Sequence, residues 1–183
     1  MGRTWDSITP QLRAFVERQH LFFVASAPLS ADGHVNLSPK GHDSLRILDD
    51  HTVAYLDLTG SGIETVAHVL ENGRITLMFC AFEGPPQIVR FQGVGRAHAI
   101  GTPEYDELAP HFTLLPGARA IVVVDVRRVS TSCGFAVPVM AYQHERSRLI
   151  DWAEHHGPDG VAEYVASENA ESIDGLPALS VRE

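Results

Sequence analysis

The chain has 183 residues and a mass of 20.0 kDa, enough for one domain that buries a core without disulfides or structural metal, and too little for a large multidomain enzyme. Apolar residues make up 44% and charged residues 20%, which excludes the polar, highly charged composition of disordered chains. A net charge of -9 and a pI near 5.5 disfavour a nucleic-acid partner, and no apolar run approaches the roughly 20 residues of a membrane span.

From the N-terminus, MGRTWDSITP lacks the basic-then-apolar profile of a signal peptide. Thr9-Pro10 then opens a helix, with Leu12, Phe15 and Val16 at helical spacing, and that helix is expected to cover one side of a sheet. Short β-type runs follow at residues 21–25, 35–38, 45–48, 53–58, 74–82, 88–98 and 120–129. They are separated by turn signals such as Asp32-Gly33, Asp49-Asp50 and Gly84-Pro85-Pro86. One helix interrupts them over residues 64–71. Ser61 and Glu64 fit a capping box at its start, Asn72-Gly73 fits its stop, and Val66, Val69 and Leu70 supply its apolar face. A further helix is expected over residues 102–108.

Regular short strands with so few helices between them predict a mainly β fold, a mostly antiparallel barrel of six or seven strands with flanking helices. Residues 1–144 read as the barrel domain with its N-terminal helix. Residues 145–183 read as an acidic helical appendage of the same domain, with Leu149, Trp152, Ala153, Val161, Tyr164 and Val165 as its buried positions. From Asp151 onward this stretch has eight acidic residues and one basic residue, which predicts a solvated segment. Two cysteines without metal or redox spacing suit a reducing, cytoplasmic setting. Cys80, inside an apolar run, is expected to be buried and inert, and Cys133, beside Gly134, to be accessible.

Several places could carry chemistry. His34, Asn36, Ser38 and Lys40 alternate with Val35 and Leu37, so a strand here has four polar groups on one face. Lys40 is the only lysine among fourteen basic residues. Its Ser-Pro-Lys-Gly corner suits an anion held by a point charge, and equally an ordinary strand end with a solvated lysine. Thr59-Gly60-Ser61-Gly62 lies between a strand and a helix N-terminus, where free N–H groups and the helix dipole favour a phosphate; the Glu64 carboxylate opposes it. Arg90, Gln92 and Arg96 share one face of a long strand and can meet a ligand or the acidic residues of a second copy; Arg46 has the same two readings. The ten histidines form no metal-binding motif, so no metal site is expected.

The order FFVASAP, HVNLSPKG, TVAYLDLTGSG, LENGRITLMF and QIVRFQG, ending in GARAIVVVDVRRVSTSCGF, resembles the pyridoxamine 5'-phosphate oxidase-like family of FMN-binding split β-barrels. The resemblance implies a homodimer with two FMN sites at the subunit interface. It also implies FMN contacts from Ser38, Lys40, Arg46, the stretch from Tyr55 through Leu56, Asp57, Leu58, Thr59, Gly60 and Ser61 to Gly62, and Arg90 with Gln92. The basic Ser-Arg-Lys segment that these oxidases place on the flavin phosphate is replaced here by Gly62-Ile63-Glu64-Thr65, so Lys40 and Arg46 would supply that charge. The glutamine that precedes the family's Val-Arg-Val-Glu-Gly strand is Ile88, and no C-terminal substrate-arginine segment is recognisable, so oxidation of pyridoxamine phosphate itself is not expected.

What the resemblance implies is an FMN-dependent oxidoreductase that transfers a hydride to a small planar substrate at a dimer cleft, with a nicotinamide cofactor as one candidate electron donor. The alternatives are a non-catalytic flavin-binding or redox-sensing protein, and the same fold using a deazaflavin or haem. No residue demands a catalytic acid or base role.

Overall fold

The computed structural model describes residues 2–179; Met1 and the end of the acidic C-terminal stretch, residues 180–183, lie outside it. Among the described residues the strands are β1 (Thr4–Trp5), β2 (Phe22–Ser26), β3 (Asn36–Lys40), β4 (Leu45–Ile47), β5 (Thr52–Leu58), β6 (Arg74–Cys80), β7 (Ile88–Ala99) and β8 (Ala118–Ser132). The helices are α1 (Pro10–Val16), α2 (Glu64–Glu71), α3 (Pro103–Leu108) and α4 (Arg148–Glu168). Seven strands form one curled antiparallel sheet in the order β3-β2-β6-β7-β8-β5-β4, and the short β1, which no sequence signal marks, pairs with β8. The mainly β, antiparallel split-barrel expectation is met.

Local chemistry explains most elements. Thr9 caps α1 by accepting the Leu12 N–H, with Pro10 in the first turn, and Leu12, Phe15 and Val16 all face the core. Strand alternation divides the sheet into two apolar layers. Phe22, Val24, Tyr55, Leu77, Phe79, Phe91, Val122 and Val124 fill the inner one beneath α1, while Ala54, Leu56, Ile121 and Val123 meet Tyr105 of α3 and Phe112 on the outside. β5 and β8 are buried on both faces, which is why they read as continuous apolar runs. Helix α2 packs Val69 against β7 at Gly95, where an added Cβ would stand 2.8 Å from the Val69 Cγ1.

Three local expectations are corrected. The Ser61–Glu64 capping box does not form: α2 begins at Glu64 itself, its N-cap is Ile63, and no side chain caps it. Leu70 is exposed, and the buried face of α2 runs instead over Thr65, Val66, Ala67, His68 and Val69. The acidic C-terminal stretch is helical but not simply solvated: Ala153, Val165, Asn169 and Ser172 are buried. Gly157, at φ 67° just before Pro158, breaks α4 into two pieces, across which Trp152 meets Tyr164 edge-on. Cys80 is buried and Cys133 exposed, as expected. Among the described residues no helix is long and apolar enough to cross a membrane.

Candidate functional site

β3 alternates as its sequence implies, with Asn36, Ser38 and Lys40 turned inward; His34, expected on the same face, precedes the strand and is exposed. Asn36 Nδ2 donates to Thr65 Oγ1 at 2.8 Å and Ser38 Oγ donates to Asn36 Oδ1 at 3.0 Å. Lys40 Nζ donates to Asp57 Oδ1 at 2.7 Å. The apolar partners of this alternation point outward: Val35 is 75% and Leu37 60% exposed.

The Asp57 carboxylate, 1% exposed, is shared by two cations. Its second oxygen accepts from Arg119 Nε at 2.8 Å. Arg119 points inward because of a register shift. Asp57 and Leu58 oppose Ala120 and Ala118, so Arg119 is the extra residue of a β-bulge and leaves the outward or inward alternation of its strand. Its other nitrogens reach Asn169 Oδ1 at 2.6 Å and the Gly62 carbonyl at 2.8 Å, while Asn169 Nδ2 donates to the Gly60 carbonyl at 3.1 Å. Burial alone would raise the Asp57 carboxyl, but Lys40 and Arg119 outweigh it and hold it below the usual carboxylate range. Burial, then the Asp57 charge, push the Tyr55 phenol well above its ordinary range, so Tyr55 stays neutral beneath Lys40.

The cluster carries two positive charges against one negative, and it abuts the turn after β5. There Thr59 Oγ1 is buried with no hydrogen-bond partner, and a Cβ added at Gly60 would meet nothing within 4 Å. Ser61 is exposed, and the Glu64 carboxylate folds back against Gly62. Leu56 belongs to the outer apolar layer and Leu58 packs against it.

The remaining candidates lie elsewhere. Arg46 pairs in register with Ala54, so it belongs to the outer face, opposite Lys40 and Asp57. Its guanidinium holds both Asp43 oxygens at 3.0 Å and the His111 carbonyl at 2.8 Å, over the Phe112 ring. Arg90 and Gln92 share the outward face of β7: Arg90 donates to Ser132 Oγ at 3.1 Å, and Gln92 accepts from Arg128. Arg96, farther along β7, is exposed. The structure therefore joins Lys40, Asp57 and the 59–62 turn, and leaves Arg46, Arg90 and Gln92 apart from them within one chain. Sequence reasoning missed Arg119 and Asn169. The one available signal was an arginine between Ala118 and Ala120 in an otherwise apolar run; nothing marked Asn169.

A family model described as pyridoxamine 5'-phosphate oxidase matches residues 8–133. The chain belongs to the pyridoxamine 5'-phosphate oxidase family. It is 38% identical over 192 residues to the pyridoxamine 5'-phosphate oxidase family protein ustO of Aspergillus flavus, across 96% of this chain and 77% of that protein. Among solved structures it resembles a HupZ variant from Group A Streptococcus, with TM-score 0.53 and 25% identity over 68% of this chain and 99% of that one. A Lactobacillus delbrueckii protein at TM-score 0.52 and 16% identity, over 68% and 94% of the two chains, shares the fold. The family match stops at residue 133, so the arm after β8, α4 and Asn169 lie beyond it.

Proposed function

We propose that this family member binds FMN between two copies of the chain and acts as an oxidoreductase on a small planar substrate in a reducing, cytoplasmic setting. The observation that carries this reading is the surplus positive charge of the Lys40–Asp57–Arg119 cluster beside an open turn with an orphaned Thr59 hydroxyl and a helix N-terminus free of side-chain caps. Those features fit a phosphate-bearing cofactor; the Glu64 carboxylate is the one group that opposes it. Lys40, the Thr59 hydroxyl and the turn to Gly62 would hold the phosphate, with Ser38 beside them on β3, and Leu56 and Leu58 would keep the strand rigid beneath it. Asp57 directs the Lys40 ammonium. Bound FMN would supply the hydride chemistry, and the chain's own part is to bind, orient and exclude water.

The homodimer in this reading is supported by the uncovered Val35, Leu37 and Leu29 side chains on and before an edge strand. Arg90 and Gln92 face outward, where they would contribute to the second copy's cofactor. Arg46, tied to Asp43, would act on the phosphate only after exchanging that partner.

The visible spectrum of the purified protein, followed by an FMN titration, tests the reading. Flavin bands or saturable FMN binding, with steady-state reduction by a nicotinamide cofactor, are expected; a colourless protein that binds no added FMN overturns it. Lys40→Met is expected to weaken FMN about ten- to hundredfold, as the loss of one charge-assisted contact requires. Sedimentation at micromolar concentration is expected to give a dimer.

A further inference from the structure

The C-terminal segment beyond the family match is tied to the barrel at two points. After α4, Asn169 is fully buried and joins Arg119 to the Gly60 carbonyl. The chain then makes a small hairpin, in which Ser172 Oγ accepts from the N–H groups of Asp174 and Leu176, and Glu171 bridges Pro177. From its tip Asp174 grips the loop before β3: one oxygen accepts the His34 backbone N–H at 2.8 Å and the other lies 2.7 Å from His34 Nδ1. The segment is thus a strap that runs from the end of β5 to the start of β3.

Its consequence for the turn follows from peptide geometry. The Gly60 carbonyl points at Asn169, and the Gly62 carbonyl points at Arg119, which Asn169 itself holds. In a planar trans peptide the N–H of the next residue points the opposite way. The Ser61 and Ile63 N–H groups are therefore directed away from the strap, and neither has an acceptor among the described residues. Two neighbouring N–H groups without an acceptor, at the uncapped start of α2, suit an anion.

We propose that Asn169 is a positioning residue: its amide locks the Gly60–Gly62 turn so that the Ser61 and Ile63 N–H groups present a ready site for a phosphate group. This rests on the flavin reading for the identity of the ligand, but not for the order of the turn. A barrel without the strap would leave the Gly60 carbonyl without its partner and Arg119, which holds the Gly62 carbonyl, anchored by Asp57 alone, so the ligand itself would have to order the turn.

The test uses the full-length chain with Asn169→Ala and Asn169→Asp, FMN as the probe, and amide hydrogen exchange without FMN. Asn169→Asp keeps the acceptor for Arg119 and sets an oxygen against the Gly60 carbonyl, so it separates the turn from the arginine. Both variants are expected to bind FMN about tenfold more weakly and to exchange the hydrogen-bonded amides that flank the turn, Thr59 on the Gly117 carbonyl and Ala67 on the Ile63 carbonyl, about tenfold faster, with protection of β6 and β7 unchanged. Parent-like exchange at the turn overturns the proposal, as does a uniform loss of protection, which would make the role merely structural. If the parent binds no FMN, the flavin reading fails, and the exchange data still decide whether Asn169 orders the turn.

Discussion

At its Asn36 end β3 enters a neutral polar network, and at its Lys40 end an ionic one. In the first, Asn36 meets Thr65, and Ser26 Oγ lies 2.9 Å from His68 Nδ1, while the opposite ring nitrogen of the fully buried His68 has no partner. In the second, every charged group is hydrogen-bonded, although one positive charge is in excess: Lys40 and Arg119 to Asp57, and the rest of Arg119 to the neutral Asn169 and Gly62 carbonyl oxygens. The difference teaches how the barrel ranks its polar burdens. An unpaired neutral nitrogen costs on the order of 1–3 kcal/mol and is tolerated, whereas an unpaired buried charge costs several and is not.

The largest way to break this contrast is Asp57→Asn, which leaves two cations without their shared anion. A loss of about 3–5 kcal/mol is expected in denaturant unfolding, and a variant within about 1 kcal/mol of the parent would mean that water already screens the cluster. Lys40→Met should cost less, about 1–3 kcal/mol in the cofactor-free protein. Lys40 keeps 19% of its side chain exposed, and Asp57 retains Arg119. On the neutral side, Ser26→Ala removes the one hydrogen-bond partner of His68 and is expected to cost about 1 kcal/mol, measured in the same unfolding series.

Acid titration separates the clusters by degrees. Burial lowers the pKa of His68, so on acidification the unfolded chain takes up that proton first, and stability falls once pH drops below about 6.5. Asp57 is held below its usual range, so its contribution is intact above about 3.9 and disappears only as pH falls through its lowered folded value. The neutral cluster should therefore weaken first and the ionic one last. His68→Gln is expected to flatten the upper part of the stability–pH curve and leave the lower part; a single fall confined to strong acid in the parent would contradict the assignment to His68.

Much of the barrel was legible because its signals are local. Thr9-Pro10 starts α1, Asn72-Gly73 ends α2, and turn residues bound nearly every strand within two positions. The alternation of Asn36, Ser38 and Lys40 correctly implied one polar face on β3, whereas His34, expected on the same face, lies in the loop before the strand. The capping box failed because the Ser61 to Glu64 spacing is only a local possibility, while the path of the turn is set by contacts from Arg119 and Asn169.

What the sequence by itself determined is the set of main elements apart from β1, the family, and the polar face that carries Lys40, since propensity, turn chemistry and side-chain alternation act over a few residues. What only the tertiary structure decided is the company Lys40 keeps. Asp57 comes from another strand, Arg119 turns inward through a register shift between β5 and β8, and Asn169 arrives from a helix fifty residues beyond Arg119. Composition described that last segment as acidic and solvated because an average over residues cannot reveal one buried asparagine. Register and docking are decided by the simultaneous burial of distant surfaces, and no window of sequence contains both sides of those contacts.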